Sequence, residues 1–298
     1  MDTDNHMKIG MVGLGLMGHG IARNLLKHGY AMLLFEHPGN QPIDDLLAAG
    51  AETSKDLAAL ASAVDTIMLC VTGTPEVEQV LLRPGGLLAG MKPGTTIIDC
   101  STAIPSSTER LAQRVAELGG RFLDAPMTRT PKEAEEGRLN VMVGGDPSVF
   151  EECKPLFGCY AENVVYAGPV GAGHRLKLIH NYVSLGFSTV LSEAVACAER
   201  AGIAPERLVA TLASGGGKSV VLDRFRPYIE TRDVTAFRFT LSNTLKDLSY
   251  YAEMAKELDA AHSVADSMRR VYELATQDGG GQKTVPELIG YLADHRPK

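Results

Sequence analysis

The chain has 298 residues, 45% of them hydrophobic, and its 29 Lys and Arg against 36 Asp and Glu leave a formal net charge of −7. That length and apolar content suit one large or two ordinary domains, and the acidic balance argues against nucleic acid as the main partner. A mean hydropathy of −0.01, with no apolar run near the about 18 residues of a membrane span, argues against a membrane partner. The opening MDTDNHMKIG shows no basic region ahead of an apolar stretch, so no export signal is read there. The cysteines Cys70, Cys100, Cys153, Cys159 and Cys197 are odd in number and suit no metal spacing. They are expected to be reduced core thiols of a cytoplasmic protein.

In chain order, strands are predicted at KIGMVG, AMLLFE, DTIMLCV, TTIIDCS, RFLDAP, LNVMVGG and NVVYAG. Helical stretches such as GIARNLLKHG and STERLAQRVAELG lie between most of them. This alternation is the βαβ pattern of a mainly parallel sheet. After Gly171 the strands stop, and helices are predicted over 172–199, 205–213, 244–257, 263–276 and 284–293. The expected architecture is α/β, with a dinucleotide-binding domain over 1–170 and an all-helical domain over 171–298.

The first strand runs into Gly13-x-Gly15-x-x-Gly18, with Leu14, Leu16 and Met17 between the glycines. A strand precedes this loop and a helix follows it, as a Rossmann dinucleotide site requires. The first glycine makes the tight turn, the second admits the pyrophosphate, and the third lets helix and strand pack closely. Glu36 ends the second strand, where a carboxylate can bond the adenosine ribose. It repels the 2'-phosphate of NADP, so NAD is expected rather than NADP, with His37 beside it softening the repulsion. The run SGGGKS at 214–219 imitates a phosphate loop. It lacks the required glycine and a preceding strand, and it reads as a flexible loop between helices.

The helix predicted from residue 172 is apolar nearly all round, yet Lys177, Asn181, Ser184, Ser188 and Ser192 share one face of it. A lysine buried without a partner is costly, so this stripe is a candidate site.

Together these stretches resemble the β-hydroxyacid dehydrogenase family, which includes 3-hydroxyisobutyrate dehydrogenase and tartronate semialdehyde reductase. Four motifs carry the resemblance in the family's order, from Lys8 to about Leu292: the glycine loop; DAPMTRT followed by EEGRLNVMVGG; GAGHRLKLIHN; and LKDL at 245–248. The resemblance implies an N-terminal Rossmann domain with a C-terminal all-helical domain. It implies Lys177 as the general acid/base, with Asn181 one turn on holding the substrate oxygen or the ammonium. Burial and the like charge of an oxidised nicotinamide would ease deprotonation of that lysine. It also implies cofactor contacts at Val71, Thr72, Thr102 and Lys246, and a homodimer or homotetramer.

Departures from the family bear on the substrate. The family's S-G-G is here Thr128-Arg129-Thr130, which together with His180 forms the expected substrate side. Arg129 is expected to meet a terminal sulfonate or carboxylate, the alternative being that it points to solvent or pairs with Glu133 or Glu135. This loop and KLIHNYVSL look nearest to the sulfolactaldehyde reductase branch. The competing readings are an imine reductase, against which the retained lysine speaks, and a non-catalytic dinucleotide-binding protein.

Overall fold

The computed structural model describes residues 7–294, which divide into two units between Lys177 and Leu178. The first contains β1 (Lys8–Val12), α1 (Leu16–Lys27), β2 (Ala31–Phe35), α2 (Asp44–Ala48), β3 (Glu52–Ser54), α3 (Leu57–Ser62), β4 (Thr66–Leu69), α4 (Thr74–Leu82), α5 (Leu87–Gly90), β5 (Thr96–Asp99), α6 (Pro105–Glu117), β6 (Arg121–Asp124), β7 (Met127–Thr128), α7 (Pro131–Glu135), β8 (Leu139–Gly145), α8 (Pro147–Phe157) and β9 (Ala161–Gly168). These strands form one sheet in the order β3-β2-β1-β4-β5-β6-β8-β7, with β9 on β8. Pairing is parallel from β3 through β6. It turns antiparallel where β8 meets β6 and β7.

Successive residues of each central strand point to opposite faces. Ile9, Met11, Met32, Leu34, Met68 and Ile98 enter one apolar cluster. Val12, Leu33, Phe35, Ile67, Leu69 and Ile97 enter the other. Burial on both faces is why these strands read as unbroken apolar runs in the sequence. The strand order reverses between β1 and β4, so the loops after these two strands flank the crevice where α/β sheets hold ligands.

α9 (Ala172–Arg200) begins in the first unit and runs on into the second. The first turn of this helix is pressed onto the sheet, so its opening residues pack with the first unit. A Cβ on Gly173 would lie 2.5 Å from the Met142 carbonyl oxygen and 2.7 Å from that of Asp124. The second unit continues with α10 (Pro205–Ser214), α11 (Val220–Thr231), α12 (Leu241–Glu257), α13 (Ser263–Ala275) and α14 (Leu288–Asp294).

Three elements depart from the sequence expectation. α11 is a helix despite Pro227 inside it. Ser219 Oγ caps its start by accepting the Leu222 N–H, and Val221, Leu222, Phe225 and Ile229 are buried, so packing of one face offsets the proline's cost of about 3 kcal/mol. β3 and β7 are too short to show an alternation. Cys70, Cys100, Cys153 and Cys159 are free and buried or half-buried, but Cys197 is exposed on α9 and is not a core thiol. Among the described residues no helix is long and apolar enough to cross a membrane, and no group of His, Cys, Asp or Glu side chains is placed to hold a metal ion.

Candidate active site

The glycine loop after β1 meets the requirements of a dinucleotide cradle. Gly13 has φ +97°, and a Cβ there would collide with the Cys70 carbonyl oxygen. A Cβ on Gly18 would collide with the Gly13 carbonyl, whereas one on Gly15 meets no heavy atom within 4 Å. The turn and the helix contact therefore forbid side chains, while the middle position opens onto free space. Gly15 caps α1 with no side-chain bond, and the helix has no acidic residue in its first turn. Its N-terminal amides are left for an anion. Leu14 turns its side chain into the core and donates its amide to Asn40 Oδ1 at 3.2 Å, so what it offers a cofactor is the shape of the turn. Leu16 is exposed and Met17 half-buried. Asn40, which sequence reasoning missed, also donates Nδ2 to the Phe35 carbonyl and so staples the glycine loop to the end of β2.

Glu36 follows β2 and has partners on both oxygens. Oε1 accepts from Thr53 Oγ1 at 2.6 Å, and Oε2 lies 3.4 Å from Lys55 Nζ. The Thr53 hydrogen bond first, and the Lys55 charge after it, hold this carboxyl below its ordinary range. Lys55 was invisible in the sequence because it follows β3, whose pairing with β2 brings it alongside Glu36. His37 accepts the Gly39 N–H at Nδ1.

The loops after the next strands carry the other expected contacts. The Val71 amide donates to Ser101 Oγ at 3.0 Å. Thr72 is exposed and Thr102 half-buried. In the Thr128–Thr130 loop, Thr128 Oγ1 accepts from Asn140 Nδ2, which leaves its own proton to donate. Thr130, expected on the substrate side, is the N-cap of α7, and its hydroxyl donates to Glu133, so it acts here as a helix cap. Arg129 keeps the backbone of the glycine it replaces, with φ +85°. Its partners are neither of the glutamates nearby in sequence. Nη1 donates to the Glu162 carboxylate and to the Arg138 carbonyl, a geometry that leaves Nε and Nη2 as further donors.

On α9 the polar stripe divides in two. Ser188 and Ser192 are fully buried and donate back to the carbonyls of Ser184 and Ser188, the local back-bonding that satisfies a hydroxyl without a tertiary partner. The first two members reach beyond the helix. Lys177 Nζ donates to the Met127 carbonyl at 2.7 Å, at the entry to the Thr128–Thr130 loop. Asn181 Nδ2 donates to Asp247 Oδ2 at 2.6 Å. A carboxylate only accepts, so this bond fixes the amide and leaves Asn181 Oδ1 as an acceptor; His180 Nδ1 lies 3.0 Å from it. Asp247 is buried, and its Oδ1 lies 3.0 Å from Lys246 Nζ, which also sits 5.2 Å from the centre of the Tyr250 ring. Asp247 was missed although LKDL had been singled out. The signal that the sequence offered was its place next to Lys246 in that motif.

Residues 8–168 match the model described as the NAD binding domain of 6-phosphogluconate dehydrogenase. Residues 171–292 match the model described as NAD-binding of NADP-dependent 3-hydroxyisobutyrate dehydrogenase. The chain belongs to the β-hydroxyacid dehydrogenase family. It is an NAD(P)-dependent oxidoreductase acting on a CH–OH group. An uncharacterized oxidoreductase of Synechocystis sp. is 34% identical to it across 94% of this chain and 98% of the relative. The 2-hydroxy-3-oxopropionate reductase of Escherichia coli is 32% identical across 97% and 99%. The crystal structure of a 3-hydroxyisobutyrate dehydrogenase from Salmonella typhimurium superposes with a TM-score of 0.84 at 28% identity, covering 96% of this chain and 99% of its own. As a β-hydroxyacid dehydrogenase with a parallel sheet followed by helices, the chain has the fold class its sequence implied.

Proposed function

We propose that this enzyme interconverts a short hydroxy acid and its aldehyde acid, with Lys177 as the general acid/base, NAD(H) as the preferred cofactor and the Thr128–Thr130 loop on the substrate's anion. The observation that carries the reading is the bond from Lys177 Nζ to the Met127 carbonyl. It directs the lysine to the loop that, in this reading, wraps the substrate. When bound, the nicotinamide accepts or supplies the hydride. Lys177 then takes the hydroxyl proton in oxidation and returns it in reduction. Asn181 Oδ1 accepts from the substrate hydroxyl or from the ammonium. Arg129 offers Nε and Nη2 to a carboxylate or sulfonate. The test is NADH oxidation against a panel of small aldehydes bearing a carboxylate, a sulfonate or no charge. Turnover of a charged member supports the reading, and no turnover of any charged member rejects it.

The cofactor preference rests on Glu36. NADP(H) sets its 2'-phosphate against this carboxylate and loses the ribose bond, a combined effect of a few kcal/mol at roughly tenfold per 1.4 kcal/mol. Lys55 offsets part of the repulsion. The ratio of kcat/KM for NADH over NADPH is expected to favour NADH clearly and to fall about tenfold or more in Glu36→Gln. A wild-type enzyme that favours NADPH removes Glu36 from this role.

The oligomer belongs to the same reading. The face of α9 opposite its buried polar stripe is apolar and exposed: Leu176 38%, Ile179 48%, Val183 63%, Phe187 36% and Val190 63%. These positions share one helical face. A contiguous apolar strip of this kind on a monomer needs a cover, and a second copy supplies one of matching chemistry. Light scattering is expected to give at least twice the mass of one chain, and Val183→Glu with Val190→Glu to lower it to one. A monomeric wild type rejects the dimer.

A further inference from the structure

The first turn of α9 holds a buried histidine to which no role has been given. His174 is fully buried, as are Asp124 and, nearly so, Asp99. Its Nε2 lies 3.1 Å from the Ser101 carbonyl oxygen, so that nitrogen carries a proton and donates. Its Nδ1 lies 2.8 Å from Thr108 Oγ1 on α6. Its backbone amide donates to Asp124 Oδ2 at 2.8 Å, and Asp124 Oδ1 accepts the Gly171 amide at 2.7 Å. Asp124, at the end of β6, thus caps the start of α9, where a carboxylate is favoured by the unpaired amides. The imidazole also stands 3.9 Å from carboxylate oxygens of both Asp99 and Asp124. Ser101 passes the connection on, since its hydroxyl accepts the Val71 amide and its own amide donates to Asp99 Oδ1. One side chain therefore ties α9 to α6 and to the loop after β5, and through Ser101 to the loop after β4. Lys177 lies three residues further along the helix, one turn from this anchor.

We propose that His174 is a positioning residue that fixes the turn bearing Lys177 against the loops at the sheet's carboxyl end. The inference rests on the assignment of Lys177 as the proton-transfer group. In His174→Leu the Ser101 carbonyl loses its imidazole donor and Thr108 Oγ1 keeps only its bond to the Ile104 carbonyl, so the turn loses these ties while keeping its Asp124 cap. A displacement near 1 Å from productive geometry costs about a hundredfold, so kcat is expected to fall about ten- to hundredfold with KM little changed, because His174 touches no substrate. His174→Gln returns a donor toward Ser101 and is expected to recover part of that loss. Thr108→Val keeps the imidazole, removes its Nδ1 partner together with the hydroxyl's 3.2 Å bond to the Ile104 carbonyl, and is expected to show the same kcat-weighted loss to a lesser degree. It also serves if His174→Leu fails to fold.

The deciding measurement is a double-mutant cycle with Lys177→Ala. If His174 acts through Lys177, His174→Gln or Thr108→Val lowers the residual turnover of Lys177→Ala little or not at all. A full additional loss in that background overturns the inference and leaves the role of Lys177 standing. So does a folded His174→Leu with wild-type kcat. Wild-type turnover in Lys177→Ala alone overturns the role of Lys177 and takes the inference with it.

Discussion

Lys177→Ala is expected to bind NADH about as tightly as the wild type and to turn over about 10²–10⁴-fold more slowly, the usual cost of losing a positioned proton-transfer group. Binding is spared because the glycine loop, the open space at Gly15 and the amides of α1 are untouched. Folding is spared because Lys177 is only half-buried and its bond to the Met127 carbonyl ends on a residue outside the helix. Turnover is lost because a departing hydride leaves a hydroxyl proton with no acceptor in place. Fluorescence titration with NADH and steady-state rates on the same preparation separate the two effects. A folded variant with wild-type turnover rejects Lys177 as the acid/base.

The second large effect is expected at Arg129. A charge-assisted bond to an anion is worth roughly 1.5–3 kcal/mol, so Arg129→Ala should lose about ten- to hundredfold in kcat/KM for a charged aldehyde, mostly through KM. A neutral aldehyde of the same length should lose far less. Glu162 already holds Nη1, which orients the guanidinium while leaving two donor positions for the substrate. That ion pair is half-exposed and is worth little to stability, so the variant should fold. Equal losses on charged and neutral substrates place the anion elsewhere in the pocket.

The parts that were legible in the sequence were those written in local pattern. β1, β2, β4 and β5 are buried on both faces and so read as apolar runs, and Gly13, Gly15 and Gly18 announce a turn whose steric reasons the structure supplies. What stayed hidden depends on pairings between distant residues. Lys55 reaches Glu36 only because β3, three residues long, lies on β2. Arg129 meets Glu162, 33 positions away, rather than the glutamates beside it. His174 and Asp124 stood inside quoted motifs, yet nothing in their spacing revealed that they meet at the start of α9. α11 was hidden by its proline, which local rules count heavily and packing overrode.

The passage of α9 from the first unit into the second bears on how the protein denatures. Most two-domain chains join through an irregular linker that a protease can cut and across which each half melts alone. Here the junction is the interior of a helix of 29 residues, about 43 Å long at 1.5 Å per residue. Its hydrogen bonds run without interruption from the turn anchored on the sheet to the turns that carry Leu185, Leu191 and Val195 into the apolar clusters of the second unit. Each end of the helix therefore opens with the unit it packs against, and a protease finds no irregular segment to cut at the junction.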